Sequence, residues 1–169
     1  MRSHPKAMGK LPRGFVVGLA TLGPVGQRLP APGTWGSLAG LLYFAVFFTR
    51  MNVAEILGVS AVAAVIAAFF CGEAEIRLGR KDPGMVILDE FVAMPLCFLG
   101  WSVLTHRWPV WAVLLGGFAF FRLFDILKPF GIRRLQNLHG GWGVVIDDTA
   151  AALAACGALH IATRLIALR

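Results

Sequence analysis

Two pairs of adjacent acidic residues stand inside apolar stretches of this sequence. Asp89 and Glu90 interrupt MVILDEFVAMPLCFLG, and Asp147 and Asp148 interrupt GVVIDDTAAALAA. A charge at the centre of a bilayer costs roughly 2.5–3.5 kcal/mol on insertion scales, and acids that lie close together also repel one another. A bound divalent cation would offset both costs, and oxygen ligands without His or Cys favour Mg²⁺ over zinc. The four acids are therefore candidate metal ligands.

Helix capping is the alternative explanation for the same acids. Carboxylates near a helix N-terminus interact favourably with the helix dipole and can accept hydrogen bonds from free backbone N–H groups. Both pairs are expected in the first turns of their helices. Adjacent residues point about 100° apart on a helix, so one acid of each pair can bind metal while its neighbour caps or pairs with a base. Asp82 and Asp125 enlarge the set and favour the metal site.

Basic residues follow the fourth apolar stretch, in FRLFDILKPFGIRR. Arg122 and Asp125 are three residues apart and share a helix face. Pro129 disfavours helical structure at Lys128, so the helix is expected to end there. Lys128 would then lie at the mouth of the acidic cluster. A base beside a metal site suits a phosphate substrate.

Two arginines and two glycine-rich segments supply further candidates for binding phosphate. Arg133 and Arg134 could bind a substrate phosphate or the anionic head groups of the surrounding lipid. In PAPGTWGSLAG, Thr34 or Ser37 can cap a helix whose N-terminus holds phosphate, and an ordinary helix-entry turn is the alternative. In NLHGGWG, His139 is a candidate proton donor or acceptor, or a structural loop residue.

The three cysteines do not support a different chemistry. Cys71, Cys97 and Cys156 lie in or beside apolar runs without metal-ligand spacing, and we interpret them as small core residues. Cys71 and Arg77 have the Cys-x5-Arg spacing of cysteine-dependent phosphatases. The intervening GEAEI carries two glutamates, which would repel a phosphate dianion.

Apolar helices must position these residues. Of the 169 residues, 57% are hydrophobic and 15% are charged, and the mean hydropathy is +0.72. This composition is typical of an integral membrane protein. Period-two alternation is absent, which favours helices over strands. The sequence predicts an all-α, multi-pass membrane helical bundle with about five apolar helices, at roughly 35–49, 53–71, 85–104, 109–127 and 144–167.

One domain is predicted over residues 1–169. Residues 1–30 are expected to form an interfacial or re-entrant segment. The apolar run FVVGLATLG in this region is short, and no clean signal-peptidase site follows it.

The formal charge of +7 is explained by membrane topology rather than by nucleic acid. With the N-terminus in the cytoplasm, twelve of the 16 basic residues fall on the cytoplasmic side, as the positive-inside rule requires. They include Arg2, Lys6 and Lys10, whereas Arg169 falls outside. Eight of the nine acids fall on the cytoplasmic side as well, all but Glu55. Acids from three spans are therefore expected at one depth, as one cluster.

Three longer blocks of sequence resemble a known family. LPAPGTWGSLAG, KDPGMVILDEFVAMPL and FRLFDILKPFGIRRLQNLHGGWGVVIDDTAAA, in this order and spacing, are similar to phosphatidylglycerophosphatase A of bacterial inner membranes. The similarity extends from about Leu19 to Ala155. It implies a magnesium-dependent phosphatase that removes the terminal phosphate of a phospholipid substrate, phosphatidylglycerol phosphate, to give phosphatidylglycerol. It also implies a helical fold whose active site faces the cytoplasm.

The resemblance, taken with the charge pattern, gives a set of expected site residues. The positions that match the family pattern are Asp82, Asp89, Glu90, Asp125, Lys128, His139, Asp147 and Asp148, with Thr34 in the glycine block. The expected metal ligands are Asp82, Asp89, Glu90, Asp125, Asp147 and Asp148. The expected catalytic residues are Asp89, Asp125, Lys128 and His139. The expected substrate-binding residues are Thr34, Arg122, Lys128 and Arg133. Glu73 and Glu75 are further candidate site residues, ranked after those named above.

Two mechanisms are compatible with these residues. In the first, Mg²⁺ polarises a phosphoryl oxygen and a water attacks with one carboxylate as base. In the second, Asp125 or Asp89 is the nucleophile and forms an aspartyl-phosphate. Lys128 and His139 would hold the phosphate or protonate the departing glycerol oxygen.

A cation or proton transporter is the main alternative function, because intramembrane acids often mark ion paths. That function predicts acids along the whole depth of the bilayer, whereas here they gather at one end. A lipid phosphotransferase would carry two spaced Asp-Gly elements, which are absent. A non-catalytic assembly protein would leave the acidic cluster unexplained.

Overall fold

The structure is a computed structural model that describes residues 11–129 and 131–167, apart from the side chains of Asn137, Ile166 and Ala167. Every regular element in this part of the chain is a helix, so the predicted all-α class is confirmed. The topological assignments of Arg2, Lys6, Lys10 and Arg169 lie outside the described residues.

Eight α-helices and two 3₁₀ helices succeed one another along the described chain. In order they are α1 (Arg13–Ala20), α2 (Pro24–Arg28), α3 (Pro32–Phe47), α4 (Val53–Leu78), α5 (Leu88–Ala93), a 3₁₀ helix (Met94–Phe98), α6 (Trp101–Arg107), α7 (Val110–Leu127), a second 3₁₀ helix (Ile132–Asn137) and α8 (Trp142–Ala167).

Three of these helices, α4, α7 and α8, are long and apolar enough to cross a membrane. The predicted third span is broken instead, because Leu88–Phe98 and Trp101–Arg107 meet at an angle of 62°. Gly100 lies at this break with a φ of +76°, a backbone conformation that favours glycine. The number of spans rises to four if the bent pair forms one span.

Helix α3 accounts for the remaining difference from the predicted five spans. It has 16 residues, so it is about 24 Å long, whereas the hydrocarbon core of a bilayer is about 30 Å thick. The structure therefore supports three or four spans by length and composition. The cytoplasmic location of the N-terminus stays a prediction.

The described part of the N-terminal segment packs against α4. Val16 and Ala20 of α1 are fully buried in a cluster that includes Ala67 and Cys71 of α4. All three cysteines are buried and unpaired, in agreement with their interpretation as core residues.

Glycines allow α3 to contact the beginning of the broken span closely. A Cβ on Gly36 would lie 2.8 Å from the Cβ of Ile87, and a Cβ on Gly40 would lie 2.7 Å from the Cβ of Met94. Real Cβ atoms do not approach so closely, so a larger residue at either position would force the two elements apart. The glycine block therefore serves helix packing.

Glycines also allow a close backbone contact between α4 and the start of α8. A Cβ on Gly72 of α4 would lie 2.7 Å from the backbone nitrogen of Gly141, and a Cβ on Gly141 would overlap the carbonyl oxygen of Ala68. The contact fixes the start of α8 against α4. It thereby sets the position of Asp147 and Asp148 farther along α8.

We expect Gly141→Ala to lower the free energy of unfolding by about 1–3 kcal/mol, because the added methyl group must displace the backbone of α4. Gly157→Ala, on α8, is the control, since a Cβ there meets no atom within 4 Å. The measurement is denaturant unfolding of the detergent-solubilised protein, followed by tryptophan fluorescence. Equal unfolding midpoints for the two variants would contradict the packing role of Gly141.

Candidate active site

Six carboxylates from four parts of the chain line one cavity of about 100 Å³. Asp82 lies in the loop between α4 and α5, Asp89 and Glu90 lie in α5, Asp125 lies near the end of α7, and Asp147 and Asp148 lie in α8. Lys128 also lines this cavity, which we call the acidic cavity. The structure thus brings together the acids that the sequence analysis assigned to separate spans.

Asp89, Glu90 and Asp148 form the tightest group in the acidic cavity. One carboxylate oxygen from each lies within 4.8 Å of the others. The described ion pairs include none of these three residues. Asp89 Oδ1 and Glu90 Oε2 are buried without a hydrogen-bond partner. Three converging carboxylates, two of which have an unpartnered buried oxygen, fit a hard cation such as Mg²⁺.

Bases neutralise two of the other acids. Arg122 Nη1 donates to Asp125 Oδ2 at 2.7 Å, and Lys128 Nζ lies 3.7 Å from Asp125 Oδ1. Lys128 also donates to Oδ2 of Asp147, whose side chain is 1% exposed. The second oxygen of Asp147, Oδ1, is buried and has no partner. The cavity therefore contains paired acids beside unpaired ones.

Lys128 owes its position to the end of α7. The helix ends at Leu127, as Pro129 predicts, and Lys128 follows it with a φ of +45°. Burial lowers the pKa of its ammonium group, but the hydrogen bond to Asp147 and the neighbouring carboxylates outweigh burial and raise this pKa overall. Lys128 is therefore a positive charge at neutral pH.

Capping does not explain the acids of α8. This helix begins at Trp142, so Asp147 and Asp148 lie beyond its first turn. The predicted first-turn position was wrong for this pair because α8 begins two residues earlier than expected. Asp89 and Glu90 do lie in the first turn of α5, where the helix dipole favours negative charge.

Arg122 joins α7 to the glycine block of α3. Its Nη1 lies 3.2 Å from Ser37 Oγ, which donates to the carbonyl oxygen of Gly33 at 2.7 Å. A Cβ on Gly33 would overlap Oε1 of Glu90. Thus α3 supports the acidic cavity through Ser37 and Gly33. Thr34, in contrast, is exposed and does not line the acidic cavity.

The expected helix cap on α3 was also wrong. The helix begins at Pro32, after Ala31, and no side chain caps it. Proline is favoured at a first helical position because its fixed φ suits the helix and its missing N–H is not needed there. Thr34 and Ser37 consequently lie inside α3.

Several candidates lie away from the acidic cavity. His139 is exposed and does not line the acidic cavity. Glu73 forms an ion pair with Arg77 at 3.2 Å. Cys71 and Arg77 belong to one helix, α4, so the Cys-x5-Arg spacing forms no phosphate-binding loop.

A hydrogen-bonded network holds Asp82, and the sequence analysis identified only part of it. The backbone N–H of Asp82 donates to Glu75 Oε1 at 2.7 Å, and Gln136 Nε2 lies 3.3 Å from Asp82 Oδ2. Lys81 Nζ donates to the carbonyl oxygen of Gln136 at 2.6 Å. Nothing in the sequence points to Lys81 and Gln136 as partners, because they are 55 positions apart.

A second, more open cavity of about 610 Å³ adjoins the acidic cavity. We call it the basic cavity. Its lining residues are Lys81, Asp82, Gly131, Arg133, Arg134, Gln136 and Val144. Asp82 and Val144 line both cavities, so the two cavities are adjacent.

The similarity to known proteins covers both cavities. A sequence profile described as Phosphatidylglycerophosphatase A matches residues 18–163. This chain belongs to the phosphatidylglycerophosphatase A family. The family resemblance found in the sequence blocks is thereby confirmed.

Two members of the phosphatidylglycerophosphatase A family and a third relative illustrate the similarity. The chain is 37% identical over 125 residues to Phosphatidylglycerophosphatase A of Haemophilus influenzae, covering 73% of this chain and 74% of that protein. It is 29% identical over 131 residues to Phosphatidylglycerophosphatase A of Escherichia coli, covering 76% and 72%. It is 36% identical over 125 residues to a protein of Bacteroides thetaiotaomicron named "Putative phosphatidylinositol-3-phosphatase", covering 72% and 76%. No solved structure matches.

Membership of the phosphatidylglycerophosphatase A family confirms the predicted enzyme class, a phosphatase that acts on a phosphomonoester. The family and the apolar helices together indicate a membrane protein. None of these relatives supports the transporter alternative.

We expect Lys128→Met to lower the free energy of unfolding by about 1–3 kcal/mol, because it leaves the buried carboxylate of Asp147 without its base. In a double-mutant cycle, Lys128→Met combined with Asp147→Asn should cost less than the sum of the single changes. Denaturant unfolding in detergent measures all three variants. Arg107→Met, which removes an exposed base outside both cavities, is the control. Additive effects of Lys128→Met and Asp147→Asn would contradict the pairing.

Proposed function

We propose that this protein is a magnesium-dependent phosphatase of the bacterial inner membrane. It would hydrolyse the terminal phosphate of phosphatidylglycerol phosphate to give phosphatidylglycerol, at a site facing the cytoplasm. The observation that carries the proposal is the group of three unpaired carboxylates, Asp89, Glu90 and Asp148, beside the base Lys128. The lipid substrate is suggested by the names of two relatives.

Asp89, Glu90 and Asp148 are the residues that would hold Mg²⁺. Their oxygens converge, and no described base compensates their charges in an ion pair. Asp125 and Asp147, also expected as ligands, already have basic partners, which favours the group of three. When bound there, Mg²⁺ would supply a Lewis acid for the phosphoryl group.

Lys128 would bind the substrate as a fixed charge. Its raised pKa keeps the ammonium protonated at neutral pH, so it is better suited to holding phosphoryl oxygens than to donating its proton. It lies between Asp125 and Asp147, at the edge of the acidic cavity. It would therefore stabilise the negative charge on the phosphoryl group and on the departing glycerol oxygen.

Asp147 is the best-supported general base. Its Oδ1 is buried in the cavity without a partner, while its Oδ2 is held by Lys128. This oxygen can accept the proton of an attacking water. Asp125 has one oxygen bonded to Arg122 and the other near Lys128, which makes it a poor nucleophile. A water mechanism is therefore favoured over an aspartyl-phosphate on Asp125. His139 has no role in this scheme.

The acids near helix ends lie at a depth that suits a phospholipid substrate. A lipid can keep its acyl chains in the bilayer while its head group reaches a cavity between the helices. Asp125 and Lys128 lie at the end of α7, and Asp89 and Glu90 lie at the start of α5. Helix ends reach the level of the head groups, where the phosphate of a lipid lies.

We expect Asp89→Asn to lower magnesium-dependent phosphate release from phosphatidylglycerol phosphate by about 100-fold or more, because it removes a charged ligand from the site. Glu55→Gln is the control. It also removes one carboxylate, but an amide can keep the capping contact with the backbone N–H of Asn52, at 2.8 Å in the native chain. Phosphate release is measured with purified protein in detergent. Full activity in Asp89→Asn would overturn the proposed site.

Binding of the cation is tested separately from activity. At a concentration about 100 times its Kd, Mg²⁺ should stabilise the protein by about 2.7 kcal/mol. Asp148→Asn should remove most of this stabilisation, whereas Glu55→Gln should retain it. Thermal unfolding in detergent with Mg²⁺ or with EDTA provides the comparison. Equal stabilisation of Asp148→Asn and the native protein would exclude Asp148 as a ligand.

A further inference from the structure

The basic cavity has no role in the hydrolysis described so far. We propose that it binds the second phosphate of the lipid, the phosphodiester that joins the head group to diacylglycerol, and so selects lipids that carry two phosphates. This inference rests on the proposed function, which assigns the terminal phosphate to the acidic cavity.

The two cavities are arranged to hold one molecule. They share the lining residues Asp82 and Val144, so a head group bound in the acidic cavity has the basic cavity beside it. In phosphatidylglycerol phosphate a single glycerol unit separates the phosphodiester from the terminal phosphate. Two adjacent cavities therefore match two phosphates that are separated by one glycerol unit.

Arg133 and Arg134 supply the charge that a phosphodiester needs. Both are exposed, both line the basic cavity, and the described ion pairs include neither. In contrast, Arg122 and Lys128 are engaged by acids. Guanidinium groups bind phosphate oxygens through paired N–H donors, which gives both affinity and orientation.

The backbone holds the two arginines at the rim of the basic cavity. Gly131 has a φ of +80° and turns the chain into the 3₁₀ helix Ile132–Asn137. Ile132 is buried and anchors that helix, so the arginines that follow it are not on a free loop.

The loop between α4 and α5 is tied to the arginine-bearing helix. Lys81 donates to the carbonyl oxygen of Gln136, and Gln136 contacts the carboxylate of Asp82. These contacts cross the boundary between the cavities, since Asp82 lines both. They hold the loop that carries Asp82 against the 3₁₀ helix that carries the arginines. They therefore limit the distance between a phosphate bound in the acidic cavity and one bound by the arginines.

Charge assigns each phosphate to its cavity. The acidic cavity has six carboxylates and one lining base, so it repels an anion unless a cation is bound. The basic cavity has Lys81, Arg133 and Arg134 against the single acid Asp82. A phosphodiester, with one negative charge and no reacting bond, suits the basic cavity. Anionic lipids in the membrane present the same phosphodiester, so the test must separate them from the substrate.

The first measurement compares the native enzyme with the double variant Arg133→Gln/Arg134→Gln. The substrate is short-chain phosphatidylglycerol phosphate in neutral detergent, so that no other anionic lipid is present. We expect KM to rise about 10-fold or more, as the loss of a charge-assisted phosphate contact implies, and kcat to stay within about two-fold. Arg107→Gln/Arg164→Gln, which removes the same charge elsewhere, should change neither constant.

The second measurement uses phosphatidylglycerol as a competitive inhibitor, because it retains the phosphodiester and lacks the terminal phosphate. Its inhibition constant should rise in Arg133→Gln/Arg134→Gln by a factor similar to that of KM. Arg133→Lys/Arg134→Lys, which keeps the charge and is expected to fold if the glutamine variant does not, should recover part of both constants.

Three outcomes would overturn the inference. The first is that KM and the inhibition constant are unchanged in the glutamine variant. The second is that kcat falls with KM unchanged, which would place the arginines in the chemical step. The third is that the variant differs from the native enzyme only in vesicles that contain anionic lipid, which would make the arginines a membrane-surface contact. If Asp89→Asn is inactive in the same preparation, the proposed function stands whichever of these is found.

Discussion

Repulsion among buried carboxylates is the constraint on which the rest of the structure depends. Six acids surround a cavity of about 100 Å³ near the ends of apolar helices, where water screens charge poorly. Arg122 and Lys128 neutralise Asp125 and Asp147, and Asp82 is exposed and contacts Gln136. Asp89, Glu90 and Asp148 are left without a base, and a bound cation would compensate their charge.

The chain separates its opposite charges into two adjoining cavities instead of pairing them all. Arg133 and Arg134 line the cavity next to the acidic one, and the described ion pairs include neither arginine. Such an arrangement would favour a substrate with two phosphates bound together with a cation. Two glycines make close contacts here. Gly33 of α3 lies against the side chain of Glu90, and Gly141, just before α8, lies against the backbone of α4.

Residue patterns predicted local features well and failed where packing decided the outcome. Pro129 predicted the end of α7, and spacing predicted the pairing of Arg122 with Asp125, because both effects act within one turn. The predicted span 85–104 was broken at Gly100, and α3 was too short to count as a span. Hydropathy reports how apolar a stretch is, but the angle at which its two halves pack depends on the helices around it.

The sequence by itself determined the helical class, the membrane character and which side chains could do chemistry, because these follow from composition, local spacing and long matching blocks. Only the tertiary structure decided which acids are neutralised by a base and which have no base. That division depends on contacts between distant residues, such as Lys128 with Asp147 or Gln136 with Asp82. A hydrogen-bonded ion pair forms only when its atoms lie within about 3 Å with suitable geometry. No linear pattern encodes such an arrangement of distant residues, so only the fold determines which carboxylates are paired.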